Sequence, residues 1–167
     1  MPDKSNFTPD EWKLLLESIK MMAGIAVSAA EPSGLWGLLK ESFASGSALL
    51  KAKMDPGADA LIKAVVADFE TADGRSTARD GLKEKLTGSK PSEIKAKCIE
   101  TLQQAGAVVD AKAPGDAVAF KGWLRQISQH VAEASKEGGF LGIGGVPVSE
   151  AEKATLNEIS SALKLAA

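Results

Sequence analysis

The sequence predicts an all-α protein, a helical bundle of about six to seven helices, and three observations predict it. Apolar residues recur at spacings of three and four along almost the whole chain, with no period-two run long enough for a strand. Proline, glycine and capping residues break these stripes at helix-sized intervals. Alanine and leucine, both strong helix formers, dominate a composition with only 5% aromatic residues and no tyrosine. At 167 residues and 44% hydrophobic content, the chain reads as a single helical domain, 1–167, able to bury one core.

The first helix has the clearest start. Thr8 can cap it, Pro9 suits its first position, Glu11 completes a capping box, and Phe7 can staple onto Trp12. Its stripe is Trp12, Leu15, Leu16, Ile19, Met22, Ala23 and Ala26, and Glu31-Pro32-Ser33-Gly34 ends it. Glu17 lies beside this stripe, not within it. A second helix carries Leu35, Leu38, Leu39, Phe43, Gly46, Leu49 and Leu50 and stops near Asp55-Pro56-Gly57. A third carries Ala58, Leu61, Ile62, Val65, Val66 and Phe69 and ends in Thr71-Ala72-Asp73-Gly74, where the Asp-Gly pair signals a turn. A short helix with Leu82 and Leu86 follows. A long helix then begins at Pro91, with Ile94, Cys98, Leu102, Ala105, Val108 and Val109 on one face, and Ala113-Pro114-Gly115 closes it. The next has Phe120, Leu124, Ile127, Val131 and Ala134 at alternating fours and threes, a bundle seam, and ends at Glu137-Gly138-Gly139. A C-terminal capping helix, 149–164, presents Leu156, Ile159 and Leu163, with Ser149 and Glu152 as its capping box.

One helix pair occurs twice. Sliding the chain by 82 positions (91 minus 9) sets residues 9–34 on 91–116 without a gap, pairing Pro9 with Pro91, Glu11 with Glu93, Ala23-Gly24 with Ala105-Gly106 and Pro32 with Pro114. A further helix follows each copy, so 9–54 and 91–137 read as a duplicated helix hairpin packed about a pseudo two-fold axis, the shared glycine marking a thin point.

Charge and composition exclude several classes. Twenty Lys and Arg against 22 Asp and Glu give a formal charge of −2, no field to gather nucleic acid, and the scarcity of aromatics removes the platforms that stack single-stranded bases. No apolar run approaches the roughly 18–20 residues a membrane span needs, and residues 1–6 are polar, so the expected location is the cytoplasm, without membrane insertion. Cys98 is the only cysteine, which excludes an intrachain disulfide and a multi-cysteine metal site.

Four groups of residues bear on chemistry. His130 and Glu133, three apart on a helix, have the spacing that points an imidazole and a carboxylate at one ion, but His130 is the only histidine. Asp68, Glu70 and Asp73 ahead of Gly74 miss the every-second-residue ligand order of a calcium loop and fit a helix C-terminal turn. Cys98, between Ile94 and Leu102, is expected to be a buried thiol of raised pKa. Residues 138–146 interleave five glycines with Phe140, Leu141, Ile143 and Val146, and match no phosphate loop because no Gly-Lys-Ser/Thr follows. Such a loop either folds onto the end of the bundle or docks a partner. Gly34-Leu35-Trp36-Gly37 is a shorter version of the same device.

Residues 131–140 (Val-Ala-Glu-Ala-Ser-Lys-Glu-Gly-Gly-Phe) and 144–153 (Gly-Gly-Val-Pro-Val-Ser-Glu-Ala-Glu-Lys) resemble a family of uncharacterised bacterial helical proteins, and the likeness extends to Ala113-Pro114-Gly115-Asp116 and to residues 64–68. It implies a bacterial origin. The Ala72-Asp73-Gly74-Arg75-Ser76 turn also resembles the tellurite-resistance B-type helical proteins, a likeness that implies a metal-binding stress protein. The chain departs from that pattern at Arg79 and at Gly144-Gly145.

The expected function is binding without catalysis and without a cofactor. The bundle would hold a protein partner, a second copy of itself or a small apolar ligand, with Trp36, Phe140, Leu141 and Ile143 as the partner-binding residues. One alternative is metal binding through His130, Glu133, Asp68, Glu70 and Asp73. Another is a Cys/His hydrolase built on Cys98 and His130.

Overall fold

A computed structural model describes the backbone of residues 2–30, 54–137 and 150–165, and their side chains except at 21–30, 86, 91, 92, 94, 130–137 and 150–152. Within these residues the chain is all helical, as the stripes predict. A 3-10 turn at Lys4–Asn6 leads into α1 (Pro9–Ala30), followed by α2 (Ala60–Phe69), α3 (Ala72–Leu86), α4 (Pro91–Lys112), α5 (Ala117–Glu137) and α6 (Glu150–Ala162).

The start of α1 forms as its sequence dictates. The Glu11 carboxylate accepts from the Thr8 amide at 2.8 Å, and the Glu11 amide donates to Thr8 Oγ1 at 3.2 Å. Phe7 packs on Trp12 with ring centroids 5.5 Å apart. At α4, Glu93 reaches back to accept from the Lys90 amide at 2.9 Å. Both helices run 22 residues, and their bounds coincide at the offset of 82. Residues 35–53 of the second expected helix and the loop at 138–146 lie outside the described residues, so the comparison extends to the first helix of each hairpin only. At Gly106 an added Cβ would meet Leu163 and Lys121 at 3.6 and 3.7 Å, ordinary contacts, so close packing there does not force the glycine shared by the two copies.

Helix α1 is the hub, packed against each of the other five described helices. Lys112, in the last turn of α4, pairs with Glu11 in the first turn of α1 at 3.7 Å, so these two helices run antiparallel. A short turn at 113–116 returns the chain into α5, and Lys121 of α5 reaches Asp110 of α4 at 2.7 Å. Helix α6 joins this layer through Lys95 to Glu158 at 2.8 Å and Arg125 to Ser160 Oγ at 2.7 Å. The shared core draws on Leu15, Leu16 and Ile19 of α1, Leu61, Val65 and Phe69 of α2, Cys98, Leu102 and Val109 of α4, Phe120, Leu124 and Ile127 of α5, and Ile159 and Leu163 at the C-terminal end.

One expectation needs correction. The Asp73-Gly74 pair is not a turn: the chain turns at Glu70 and Thr71, and both Asp73 and Gly74 lie in the first turn of α3. The Thr71 hydroxyl accepts from the Gly74 amide at 2.9 Å and so starts the helix there. Gly74 is required because a Cβ would fall 2.0 Å from the Asp68 carbonyl oxygen. Glu17, on the flank beside the apolar stripe of α1, is 1% exposed. Helix α3 packs over that flank and covers it.

Candidate functional site

Of the residues singled out in the sequence, Asp68, Glu70, Asp73 and Cys98 have described side chains. Trp36, Phe140, Leu141 and Ile143 lie outside the described residues. His130 and Glu133 are in the helical backbone of α5, with their side chains outside the described set.

Asp68 sits in the last turn of α2 and is already engaged. Its Oδ2 accepts from the Trp12 indole N–H at 2.6 Å and from the Lys4 ammonium at 3.1 Å. Its carbonyl accepts from the Thr71 amide at 3.0 Å and the Thr71 hydroxyl at 2.6 Å. One residue thus ties the N-terminal segment, α1, α2 and the start of α3 together. Burying Trp12 requires an acceptor for its N–H, and Asp68 supplies it. Glu70 and Asp73 are exposed. Among the described residues, no three of His, Cys, Asp and Glu come together as a metal site requires.

Cys98 is fully buried, and desolvation pushes its thiol pKa up to about 12. A thiol in that state is a small core hydrophobe and carries almost no thiolate at neutral pH. The geometry therefore argues against a nucleophilic role.

Sequence reasoning missed two polar features. The first is Glu17. Its Oε2 accepts from the Lys85 ammonium at 2.5 Å, and Lys13 lies 3.8 Å from Oε1 without a hydrogen bond. A Cβ on Gly81 would fall 1.8 Å from Oε1, so the carboxylate occupies the space that a side chain at position 81 would need. The only signal in the sequence is a glycine in the middle of an otherwise polar helix, a position that costs about 1 kcal/mol relative to alanine and so implies a close neighbour. The second feature is an acid pair. Asp59 precedes α2 and Asp116 precedes α5, and the two carboxyl groups share a hydrogen bond. That bond, with some desolvation and the charge of Asp59, raises the Asp116 pKa to about 6.

Two exposed apolar side chains lie close in sequence to this pair. Met54, ahead of Asp59 in the chain, is 73% exposed, and Val118, just after Asp116, is 75% exposed. They are the large hydrophobic residues that stand out from the surface among the described residues. A further buried donor, the Trp123 indole N–H on α5, has no hydrogen-bond partner among the described residues.

Compared with protein-family models, with curated proteins and with solved structures, the chain matches none. Among the described residues, no helix is long and apolar enough to cross a membrane.

Proposed function

We propose that this chain is a binding bundle that holds a protein partner rather than a catalyst. The observation that carries the reading is the exposure of two large apolar side chains, Met54 five residues ahead of Asp59 and Val118 two residues after Asp116, with the Asp59 and Asp116 carboxyl groups paired between the starts of α2 and α5. Apolar side chains bordered by acids suit a partner that brings an apolar face with basic residues at its edge. The chemistry elsewhere agrees with this reading: Cys98 is sealed, Asp68 is held by Trp12 and Lys4, and Glu17 is held by Lys85. The glycine-flanked apolar residues Trp36, Phe140, Leu141 and Ile143 belong to the same proposal as further contact residues. The metal-binding reading has less support, since an ion at Asp68 would have to displace an ammonium and an indole N–H.

The test compares wild type with Met54→Lys, Val118→Lys and a Trp36→Ala/Phe140→Ala double variant. Sedimentation velocity reports self-association, and pull-down from the native host reports partners. Loss of a complex in the lysine variants, with circular dichroism unchanged, is the expected result. Complexes that are the same in all four proteins would remove the proposal.

A further inference from the structure

We propose that α3 is a strap that undocks from α1 as a unit while α2 and α4 stay in place, its closed state resting on polar contacts around the buried Glu17 carboxylate more than on apolar burial. The contrast with α2 is the starting point. Helix α2 sinks Leu61, Ile62, Val65, Val66 and Phe69 into the core over ten residues, whereas the described side chains of α3, at fifteen residues, contribute Ala78 and a partly buried Leu82. Two of its other buried positions, Gly74 and Gly81, are glycines, which weaken a helix and bring no apolar side chain. Among the described side chains, apolar burial therefore anchors α2 more firmly than α3.

Polar contacts hold α3 instead. Lys85 donates to Glu17, Lys13 pairs with Glu84 at 3.3 Å, and the Glu17 side chain fills the notch at Gly81. Closing the strap leaves Glu17 Oε1 dry and without a hydrogen bond. Opening it returns that oxygen, and the Lys85 ammonium, to water, which offsets much of what the docked contacts contribute. A helix held this way lies at the low end of the stability range within a fold.

The connections at both ends permit the motion. Thr71 caps α3 at one end, beside the well-anchored Phe69. At the other end Gly88 takes a φ of 76° in a short link to Pro91, where α4 begins. Undocking uncovers the Glu17 flank of α1 and presents a carboxylate between Lys13 and the core. The strap is thus a device that hides or shows one side of the central helix, and screening of its ion pairs favours the open form.

Hydrogen exchange with mass spectrometry on the intact protein tests this, at about 0.05 M and about 0.5 M sodium chloride. The expected result is that amides of 78–86 exchange at least about tenfold faster than those of 12–20 and 98–109, and that added salt widens this gap. Gly81→Ala, whose Cβ collides with Glu17, should speed exchange in α3 and leave α2 and α4 unchanged. Glu17→Gln should abolish most of the salt response. Protection of α3 equal to that of α1, or a salt response shared by every helix, overturns the proposal. If Gly81→Ala fails to fold, the wild-type salt series decides alone.

Discussion

Helices α1 and α4 begin alike and are covered differently. Each has 22 residues, a proline at its first position and a glutamate that reaches back to an amide ahead of the helix. Along α4 the exposed residues Ala96, Glu100, Gln103, Gln104, Ala107 and Asp110 form a wet face opposite Cys98, Leu102, Ala105 and Val109. Along α1, residues 15–19 are all buried, Glu17 and Ser18 included. Matching terminal signals set length and direction, while the number of neighbours sets how much of the circumference is covered. Helix α1 acquires its extra cover from α3, a helix too polar to betray itself as a packing partner.

The most damaging way to break this comparison is to exchange the residues that occupy matched positions. Ser18 and Glu100 stand 82 apart, and the first is buried, with its hydroxyl donating to the Leu15 carbonyl at 2.6 Å, while the second is exposed. Ser18→Glu places an unpaired carboxylate in the core and should lower stability by about 3 kcal/mol or more. Glu100→Ser should change it by no more than about 0.5 kcal/mol. Urea titrations followed by circular dichroism measure both, and equal effects would mean that the two helices are covered alike.

A smaller effect is expected when Glu17 is replaced by Met, which keeps an unbranched stem in the Gly81 notch and removes the buried charge. Replacing one member of a buried pair usually harms a fold, but Lys85 is partly exposed and can rehydrate. The variant should be neutral or up to about 1 kcal/mol more stable, and its melting temperature should respond less to salt. A large loss would show that the ion pair itself supports α1.

Smallest is the pH response of the acid pair, where α5 leaves the α4 hairpin. Asp116 has a pKa raised to about 6 from 3.8, so the folded chain binds more protons than the unfolded chain between those values. Stability from this group is therefore present in full below the unfolded pKa and declines as pH rises through about 6. Asp116→Asn should raise the melting temperature at about pH 8 and leave it nearly unchanged at about pH 4. The opposite pattern would remove the pair from the account.

Cys98 supplies a check on the α4 side of the comparison. A thiol-reactive probe should leave it unlabelled in native protein and label it fully in urea, at any pH up to about 9. Rapid native labelling would contradict its burial.

Much of the fold was legible because apolar spacing reports core faces directly. The described residues of the stripes of α2, α4 and α5, and the capping box and staple of α1, stand where the sequence places them. The burial of Cys98 was legible for the same reason. The position of α3 was not, since Asp73-Gly74 reads locally as a turn until the Thr71 cap and the approach of the Asp68 carbonyl are known. Glu17 was missed because its cover is polar: a stripe marks where apolar residues go and says nothing of a carboxylate received by a distant glycine and lysine. The acid pair was equally hidden, since Asp59 and Asp116 are far apart in sequence and each looks like an ordinary helix cap. The apolar residues Met54 and Val118 carry no pattern that distinguishes them from core residues of neighbouring stripes.

The central claim, that α1 is buried all round from Leu15 to Ile19 while α4 keeps a wet face, is tested most directly by a cysteine scan. In a Cys98→Ser background, single cysteines are placed at each position of 13–20 and 95–104, and the rate of native thiol labelling is measured. The account predicts a helical alternation of fast and slow sites along α4, with Glu100 and Gln103 fast, and uninterrupted protection along α1 from Leu15 to Ile19. Labelling at positions 17 and 18 as fast as at 100 would contradict it.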